Sequence, residues 1–179
     1  MSNVSTCLLS YIIVNYNVKE HVQACVSSII EETPADLPHE IIVVDNASTD
    51  GSRDLFTDDN RLTYIYNTDN TGFGAANNRG ARAAKGEYLV VINPDVRMTP
   101  ETDIVGLICL FRTSPELGQL SCRIHYGDGS IQTMGEPYPK LPREIFRNLL
   151  FLDSRPVKAR RLAAKTISSH PQSVDWVSG

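Results

Sequence analysis

The stretch Gly86-Glu-Tyr-Leu-Val-Val-Ile-Asn-Pro-Asp-Val-Arg-Met-Thr99 decides the fold of this chain. Its segment Tyr88–Ile92 is a continuous apolar run rich in β-branched residues. That pattern is typical of a strand buried on both faces in the middle of a parallel sheet. Pro94 lacks the N–H group that a sheet ladder needs, so the strand is predicted to end just before it. Asp95 is therefore placed at the carboxyl end of a central strand, where open α/β sheets bind their ligands.

Two interpretations of Asp95 follow from this position. A carboxylate at this position suits a hard divalent cation that bridges phosphate oxygens. Alternatively, Asn93-Pro94-Asp95 is good turn-forming sequence, and the aspartate then only caps the turn. This stretch alone leaves both interpretations open.

The composition is that of a soluble globular protein. The 179 residues are 41% hydrophobic and 21% charged, which allows one sizeable core. The formal net charge of -4 argues against a nucleic-acid-binding protein, because such proteins normally carry a basic face. The four cysteines form no Cys-x-x-Cys pair, so buried, reduced thiols are predicted rather than disulfides or a metal site. The apolar run at 7–14 is too short for a signal or membrane-spanning helix, and a cytoplasmic location is predicted.

Strand patterns alternate with helical patterns along the chain, which predicts βαβ units. Five strands are expected, at Leu8–Val14, Glu40–Val44, Leu62–Tyr66, Tyr88–Ile92 and Gly118–Ile124. The predicted fold class is α/β, with a mostly parallel central sheet flanked by helices on both faces. A hairpin-type turn is predicted at 125–130.

Residue types at the segment ends predict where the helices begin and stop. Asn17, followed by a glutamate three residues later, reads as the N-cap of the first helix. Asp50 or Ser52 is expected to cap a short second helix. The helix after the third strand is rich in small residues that let it lie close to the sheet, and Gly86 is predicted to stop it. Thr99 reads as the N-cap of the last helix, with proline at its first position.

Polar residues follow three of the predicted strands. They are Asn15-Tyr16-Asn17, Asp45-Asn46 and Asn93-Pro94-Asp95. Consecutive parallel strands bring their carboxyl ends to one edge, so these loops are expected to share a crevice. An acid after the second strand suits a nucleoside, an aromatic side chain covers a base, and a carboxylate after the fourth strand suits a metal ion on a diphosphate. Together the loops predict a nucleotide-diphosphate site.

Other nucleotide-binding and hydrolytic folds are disfavoured by their missing motifs. A dinucleotide-binding domain needs Gly-x-Gly-x-x-Gly after its first strand, where this chain has Asn15-Tyr16-Asn17. The Gly72-Phe73-Gly74 segment follows the third strand instead and has Asn77 in place of the third glycine. The sequence also contains neither a P-loop nor the Gly-x-Ser-x-Gly elbow of α/β-hydrolases.

Four segments in this order resemble glycosyltransferase family 2 and are closest to its rhamnosyltransferase-like branch. They are 12–17 (IIVNYN), 42–52 (IVVDNASTDGS), 70–80 (NTGFGAANNRG) and 92–95 (INPD). The resemblance implies a GT-A fold, which is Rossmann-like. It further implies a nucleotide-sugar-binding subdomain at 1–124 and the incomplete start of an acceptor-side subdomain at 125–179, in a chain that is C-terminally truncated.

The resemblance also implies roles for individual residues. Tyr16 and Asp45 would bind the base, with Asn15 and Asn46 in support, and the glycine-containing segment 72–77 would line the donor pocket. The full set implied to bind nucleotide is Asn15, Tyr16, Asn17, Asp45, Asn46, Gly72, Asn77 and Asn93. Asp95 would bind a divalent cation, Mg²⁺ or Mn²⁺, and Asn93 stands where the family's metal motif has its first acid.

The implied activity is transfer of a sugar, rhamnose at the level of the branch, from a nucleotide-diphosphate donor with inversion at the anomeric carbon. The implied acceptor is a cell-surface glycan or a lipid-linked glycan. In this family the general base follows the segment that here reads 175–179, so it is expected beyond Gly179, with Asp175 a weaker candidate. Poor transfer by this chain is therefore expected, and the alternative is a non-catalytic, nucleotide-binding pseudo-transferase module.

The segment Arg155–Lys165 carries five basic residues among few apolar ones. Such a run is either a solvated helix face or a basic patch for an anionic acceptor or the headgroups of the cytoplasmic leaflet. The second interpretation predicts peripheral association with the inner face of the plasma membrane.

Overall fold

The computed structural model describes residues 8–132, 135–136 and 176–177. The chain divides into two compact units, Met1–Ser114 and Pro115–Gly179. The first unit contains β1 (Leu9–Asn15), α1 (Lys19–Glu32), β2 (His39–Asp45), α2 (Ser52–Phe56), β3 (Thr63–Tyr66), α3 (Phe73–Ala83), β4 (Tyr88–Ile92) and α4 (Ile104–Thr113). Within the described ranges, the second contains β5 (Ile124–His125), β6 (Ile131–Gln132), β7 (Gly135–Glu136) and β8 (Trp176–Val177).

The first unit is built on a parallel sheet with the strand order β3-β2-β1-β4. The register pairs Asn15 with Asp45 and Asp45 with Tyr66, so the ends of β1, β2 and β3 are level. Every strand-end loop that the sequence singled out therefore leaves the same edge of the sheet. The predicted α/β class and GT-A-type arrangement are confirmed for this unit. No helix in the described residues is long and apolar enough to cross a membrane.

The two faces of the sheet are covered by different helices. On one face Leu9, Tyr11 and Ile13 of β1 are buried in one cluster with residues of α1 and α4. On the other face α3 packs against β1 and β2, where a Cβ on Gly80 would lie 2.6 Å from Ile12 Cγ2. The predicted close approach of a small-residue helix is thus confirmed, and Gly80 is the residue that permits it.

The prediction that β4 is a central strand buried on both faces is wrong for the described part of the sheet. β4 is its edge strand, and Leu89 and Val91 are 48% and 54% exposed. The reason is that α3 lies over β1 and β2, so the alternate side chains of β4 on that face have no helix above them among the described residues. The strands buried on both faces are β1 and β2.

The predicted fifth strand at Gly118–Ile124 is also wrong. Residues 118–123 form no regular element, and only Ile124–His125 pairs, antiparallel, with β6. The hairpin turn predicted at 125–130 is confirmed: the Tyr126 N–H donates to the Ser130 carbonyl at 2.8 Å, and Gly129 has a φ of +77°. Of the predicted segment only Ile124 pairs, and its partner is in the adjacent hairpin strand rather than in the parallel sheet.

Two helix starts differ from the prediction because carboxylates elsewhere supply the caps. Helix α1 begins at Lys19, whose N–H donates to Asp50 Oδ2 at 2.8 Å, and Asn17 instead adopts a left-handed φ of +55°. Helix α4 is capped by Asp103, which accepts from the Gly106 N–H at 2.8 Å. The segment around Thr99 forms a separate turn before this helix.

Gly86 does not stop α3 by adopting a left-handed conformation, since its φ is not positive. A Cβ at this position would lie 2.6 Å from backbone atoms of Leu9 and Ser10, and the Gly86 N–H donates to Ser10 Oγ at 2.8 Å. Glycine is needed here because two backbone segments come into contact.

The cysteine prediction is confirmed for Cys25, which is buried, but is wrong for Cys109 and Cys122, which are exposed. The basic segment Arg155–Lys165 and the candidate base Asp175 lie outside the described residues.

Candidate functional site

The floor of the site is a set of buried polar contacts between the ends of β1 and β2. Asn15 Nδ2 donates to Asp45 Oδ2 at 2.7 Å, and the Ser48 N–H donates to Asp45 Oδ1 at 2.7 Å. Asn15 and Asp45 are both fully buried. The two strand ends that the sequence predicted to converge are therefore joined directly by their polar side chains.

These contacts fix the orientation of the Asn15 side chain. Its Nδ2 also lies 3.1 Å from Ser48 Oγ. A carboxylate such as that of Asp45 only accepts hydrogen bonds, so the amide nitrogen must face it. The buried Asn15 Oδ1 is left with no hydrogen-bond partner in the described part of the chain, which leaves an acceptor oxygen beside the Asp45 carboxylate.

Tyr16 is held at the rim by the residues on either side of it. The Asn17 N–H donates to Ser48 Oγ at 2.9 Å, and the Thr49 N–H donates to Asn17 Oδ1 at 2.7 Å. The Asn17 side chain is thus engaged by the β2–α2 loop, while the Tyr16 ring remains 48% exposed. This arrangement presents an aromatic face to solvent from a fixed backbone.

Asp50 ties the same two loops together. One of its oxygens accepts from the Lys19 N–H at the start of α1, and the other accepts from the N–H and the hydroxyl of Ser52 at the start of α2. Partial burial opposes ionisation, but the hydrogen bonds from Ser52 and from the backbone lower the pKa of Asp50. The ionised Asp50 carboxylate therefore caps the N-termini of two helices, where negative charge is favoured.

Asn46 organises the β3–α3 loop. Its Nδ2 donates to Asn70 Oδ1 at 3.0 Å and to the Gly72 carbonyl at 3.3 Å, and its Oδ1 accepts from Asn67 Nδ2 at 2.7 Å. Asn46 is 2% exposed, so its contacts are used within the protein. Its supporting role is to hold the loop that leads to Gly72, whose φ of +82° glycine tolerates without strain.

The start of α3 forms the rim beyond that loop. Asn77 Nδ2 donates to the Phe73 carbonyl at 3.1 Å, and Asn77 Oδ1 has no partner among the described residues. The Phe73 side chain is 50% exposed. This edge therefore combines a buried, unpaired amide oxygen with a half-exposed aromatic ring.

Asp95 lies in a turn after β4, in which the Val96 N–H donates to the Asn93 carbonyl at 3.0 Å. The same carbonyl also lies 3.7 Å from the buried Cys25 thiol, whose pKa is raised to about 12, mainly by burial and further by the charge of Asp95. The Asp95 side chain is exposed and has no hydrogen bond or ion pair within the described ranges. The turn interpretation is therefore correct for the backbone, while the carboxylate itself stays available.

The oxygen ligands available here suit a divalent cation that binds together with a phosphate group. The described residues contain no group of three His, Cys, Asp or Glu side chains able to hold a metal ion. Mg²⁺ is commonly bound by one or two carboxylates together with phosphate oxygens and water. A single free carboxylate after β4 matches that mode and does not match a preformed metal site.

Three contributors to the site were not singled out from the sequence. Ser48 joins the β1 and β2 loops, and Tyr64 and Arg53 lie on the β3 side of Asp45. The sequence around Ser48 could have indicated its role, because it stands in the turn-forming segment after β2. Arg53 and Tyr64 had no such local signal, because the position of Arg53 depends on how α2 packs on the sheet and that of Tyr64 on how β3 pairs with β2.

The comparisons with known proteins agree with this geometry. The model of glycosyl transferase family 2 matches residues 10–156. An uncharacterized glycosyltransferase of Nostoc sp. is 30% identical over 145 residues, which are 76% of this chain and 44% of that protein. A poly(ribitol-phosphate) beta-glucosyltransferase of Bacillus spizizenii is 33% identical over 109 residues, or 58% of this chain and 16% of that protein.

Among solved structures, the mannosyltransferase PcManGT of Pyrobaculum calidifontis, in complex with GDP-Man and Mn²⁺, is 28% identical with a TM-score of 0.56. The match covers 66% of this chain and 35% of that one. The chain thus spans less than half the length of each of these relatives. Because the family model covers most of its residues and the GT-A architecture is present, this chain belongs to glycosyltransferase family 2.

Proposed function

We propose that this chain carries the donor-nucleotide site of an inverting glycosyltransferase, which moves a sugar from a nucleotide-diphosphate donor to a cell-surface or lipid-linked glycan. The observation that carries the proposal is the layout of the sheet edge. Tyr16 and the buried pair Asn15–Asp45 lie at β1 and β2, and the free carboxylate of Asp95 lies beyond β1, at the end of β4.

The spacing along this edge suits a nucleoside diphosphate. Neighbouring strands are about 4.8 Å apart, so β2 and β4, which flank β1, are separated by about 10 Å. A base at the β1–β2 end, covered by the Tyr16 ring, would direct its diphosphate toward β4. A divalent cation held there by Asp95 would stabilise the negative charge that develops on the diphosphate leaving group.

Contact between a base and Asp45 requires a local movement. The carboxylate is fully buried in this structure, and two of its lone-pair positions accept from Asn15 and Ser48. A carboxylate has room for about four hydrogen bonds, so it can accept from a base without losing these partners. We propose that the Tyr16 ring or the Ser48 loop shifts when the nucleotide enters.

The donor sugar and the acceptor are finer parts of the proposal. Rhamnose is suggested by the branch that the motifs resemble, and a cell-surface acceptor is supported by the relative that glucosylates poly(ribitol-phosphate). The GDP-Man and Mn²⁺ bound to PcManGT support a nucleotide-sugar donor and a divalent cation. We propose weak transfer by the 179-residue chain alone, since it covers only part of the length of its relatives. A cytoplasmic location, with peripheral membrane association through Arg155–Lys165, stays a prediction.

Calorimetric titration with UDP, dTDP and GDP, each with and without Mg²⁺ or Mn²⁺, tests the proposal. We expect one or more of the nucleotides to bind, more tightly with the cation, and we expect the cation alone not to bind. Asp95→Ala should abolish the gain from the cation, whereas Asp58→Ala, which removes an exposed acid just after α2, should keep it. Absence of binding by all three nucleotides would refute the proposed donor site. Binding without transfer in a protein extended to the length of its relatives would favour the non-catalytic module.

A further inference from the structure

Arg53 is an exposed cation held in a defined position at the β3 end of the site. Its guanidinium carbon lies 4.6 Å from the centroid of the Tyr66 ring, a separation typical of a cation–π contact. No hydrogen bond or ion pair of the Arg53 side chain is made with the part of the chain that the structure describes. A guanidinium stacked on a ring keeps its N–H groups in the plane, so they remain available at its edges.

The strand register connects the Arg53–Tyr66 pair to Asp45 in the floor of the site. Tyr66 is the register partner of Asp45 across the β2–β3 ladder. Tyr64 lies two residues earlier on the same face, and its hydroxyl is buried without a hydrogen-bond partner among the described residues. Burial raises the pKa of Tyr64 most, the proximity and then the charge of the Asp45 carboxylate raise it further, and the Arg53 charge opposes them. Asp45 and Arg53 are therefore both within electrostatic reach of one buried hydroxyl.

The charges around Arg53 leave it free for a ligand. The nearby carboxylate of Asp50 is already occupied by Lys19 and Ser52. The ion pair between Arg61 and Asp59 precedes β3 and so lies toward the opposite edge of the sheet. Arg53 thus presents unused N–H donors on the β3 side of Asp45. The diphosphate is placed on the other side, toward β4.

We propose that Arg53, oriented by Tyr66, is a specificity-determining residue that donates a hydrogen bond to a carbonyl oxygen of the nucleobase. The inference rests on the proposed nucleotide site. An acceptor at Asp45 beside a donor at Arg53 complements a base with a ring N–H next to a carbonyl group. Uracil, thymine and guanine have this edge, whereas cytosine and adenine present a ring nitrogen acceptor next to an amino donor.

The penalty for the wrong base follows from hydrogen-bond pairing. Cytosine or adenine would place an amino N–H against the guanidinium and a lone pair against the carboxylate, so the charged groups would lose their partners. Sites built to hydrogen-bond a particular group reject analogues that lack it far more strongly than apolar pockets reject an analogue differing by a methylene group. Arg53 therefore selects by base class and leaves the choice among uracil, thymine and guanine to other contacts.

The experiment compares the affinities of UDP, GDP, CDP and ADP, with Mg²⁺, for the full chain and its variants. The better of UDP and GDP should bind at least about tenfold more tightly than CDP and ADP, the effect expected for one charged hydrogen bond. Arg53→Ala should remove that preference by weakening the preferred nucleotide about tenfold, with CDP changed less than about threefold. Arg61→Ala, which removes the same charge near the other edge of the sheet, should leave the preference intact. Tyr66→Phe should also keep it, and Tyr66→Leu should lose it.

The outcomes separate this inference from the proposed function. An unchanged base preference in Arg53→Ala overturns the role of Arg53 while leaving the nucleotide site in place. Equal weakening of all four nucleotides overturns it too, because that result indicates a general charge effect on the diphosphate. Absence of nucleotide binding by the unmodified chain overturns both.

Discussion

Replacing Asp50 with alanine should destabilise the first unit more than its position in a surface loop suggests. The carboxylate accepts from the first backbone N–H of both α1 and α2. Loss of one capping side chain typically costs about 0.5–2 kcal/mol. Two caps are lost together, but α2 has only five residues and Asp50 is only partly buried. We therefore expect a loss of about 1–3 kcal/mol in the free energy of unfolding.

The pH dependence gives this prediction its sign. An aspartate in an unfolded chain ionises near pH 3.9, and the pKa of Asp50 in the folded chain is lower. Its stabilisation is therefore fully present above about pH 4 and is lost as the pH falls through the folded-state pKa. The stability difference between the unmodified chain and Asp50→Ala should be constant near neutral pH and should shrink below about pH 4.

Urea unfolding followed by circular dichroism measures both effects, with an unchanged m-value as the check for two-state behaviour. Asp50→Asn retains one acceptor oxygen and should lose about half as much stability as alanine. Asp59→Ala is the matched control: hydrogen bonds from Arg61 lower the pKa of Asp59 as well, but the Arg61 side chain is exposed and the pair should contribute less than about 1 kcal/mol. A loss below about 0.5 kcal/mol in Asp50→Ala, or equal losses at pH 7 and pH 3, would refute the reasoning.

Two further predictions concern packing and thiol reactivity. Gly80→Ala should destabilise by about 1–3 kcal/mol, because its Cβ would lie 2.6 Å from Ile12 Cγ2. Gly74→Ala on the same helix meets nothing within 4 Å and should be neutral or stabilising in the same unfolding assay; equal costs at the two glycines would contradict the proposed contact. With a thiol reagent at pH 8, Cys109 should react in the native protein, whereas Cys25 should react only on unfolding, since it is buried and its pKa is about 12. Equal labelling rates for the two would show that Cys25 is accessible.

The alternation of apolar runs and helical patterns was enough to predict the parallel sheet, because each β–α step carries its own local signal. It was not enough to place β4. The five apolar residues of this strand are compatible with burial on both faces, but which face a helix covers depends on where α3 packs. That packing is decided by Gly80 against Ile12, a contact between residues far apart in sequence. The predicted cap of α1 is wrong for the same reason, since Asp50 reaches this helix from another loop.

The site was predicted to the level of its loops. Parallel strands bring their carboxyl ends together, so the convergence of Asn15 with Asp45 followed from topology and is observed as a 2.7 Å hydrogen bond. The hydrogen-bond partners of each side chain could not be predicted from this topology. Nothing in the local sequence indicates that Asn17 would accept a hydrogen bond from Thr49. Nor does it indicate that the Asn46 side chain would be hydrogen-bonded to the β3–α3 loop.

The residues of the site fall into two groups with different physical consequences. Asn15, Asp45 and Asn46 are at most 2% exposed and direct most of their polar atoms at one another and at adjacent loops. A substitution there leaves buried groups unpaired, so stability and ligand binding should fall together. Arg53 and Asp95 are exposed and have unused polar groups, so substitutions there should change binding at constant stability. In such an arrangement the buried residues set the positions of the loops, and the exposed residues distinguish one ligand from another.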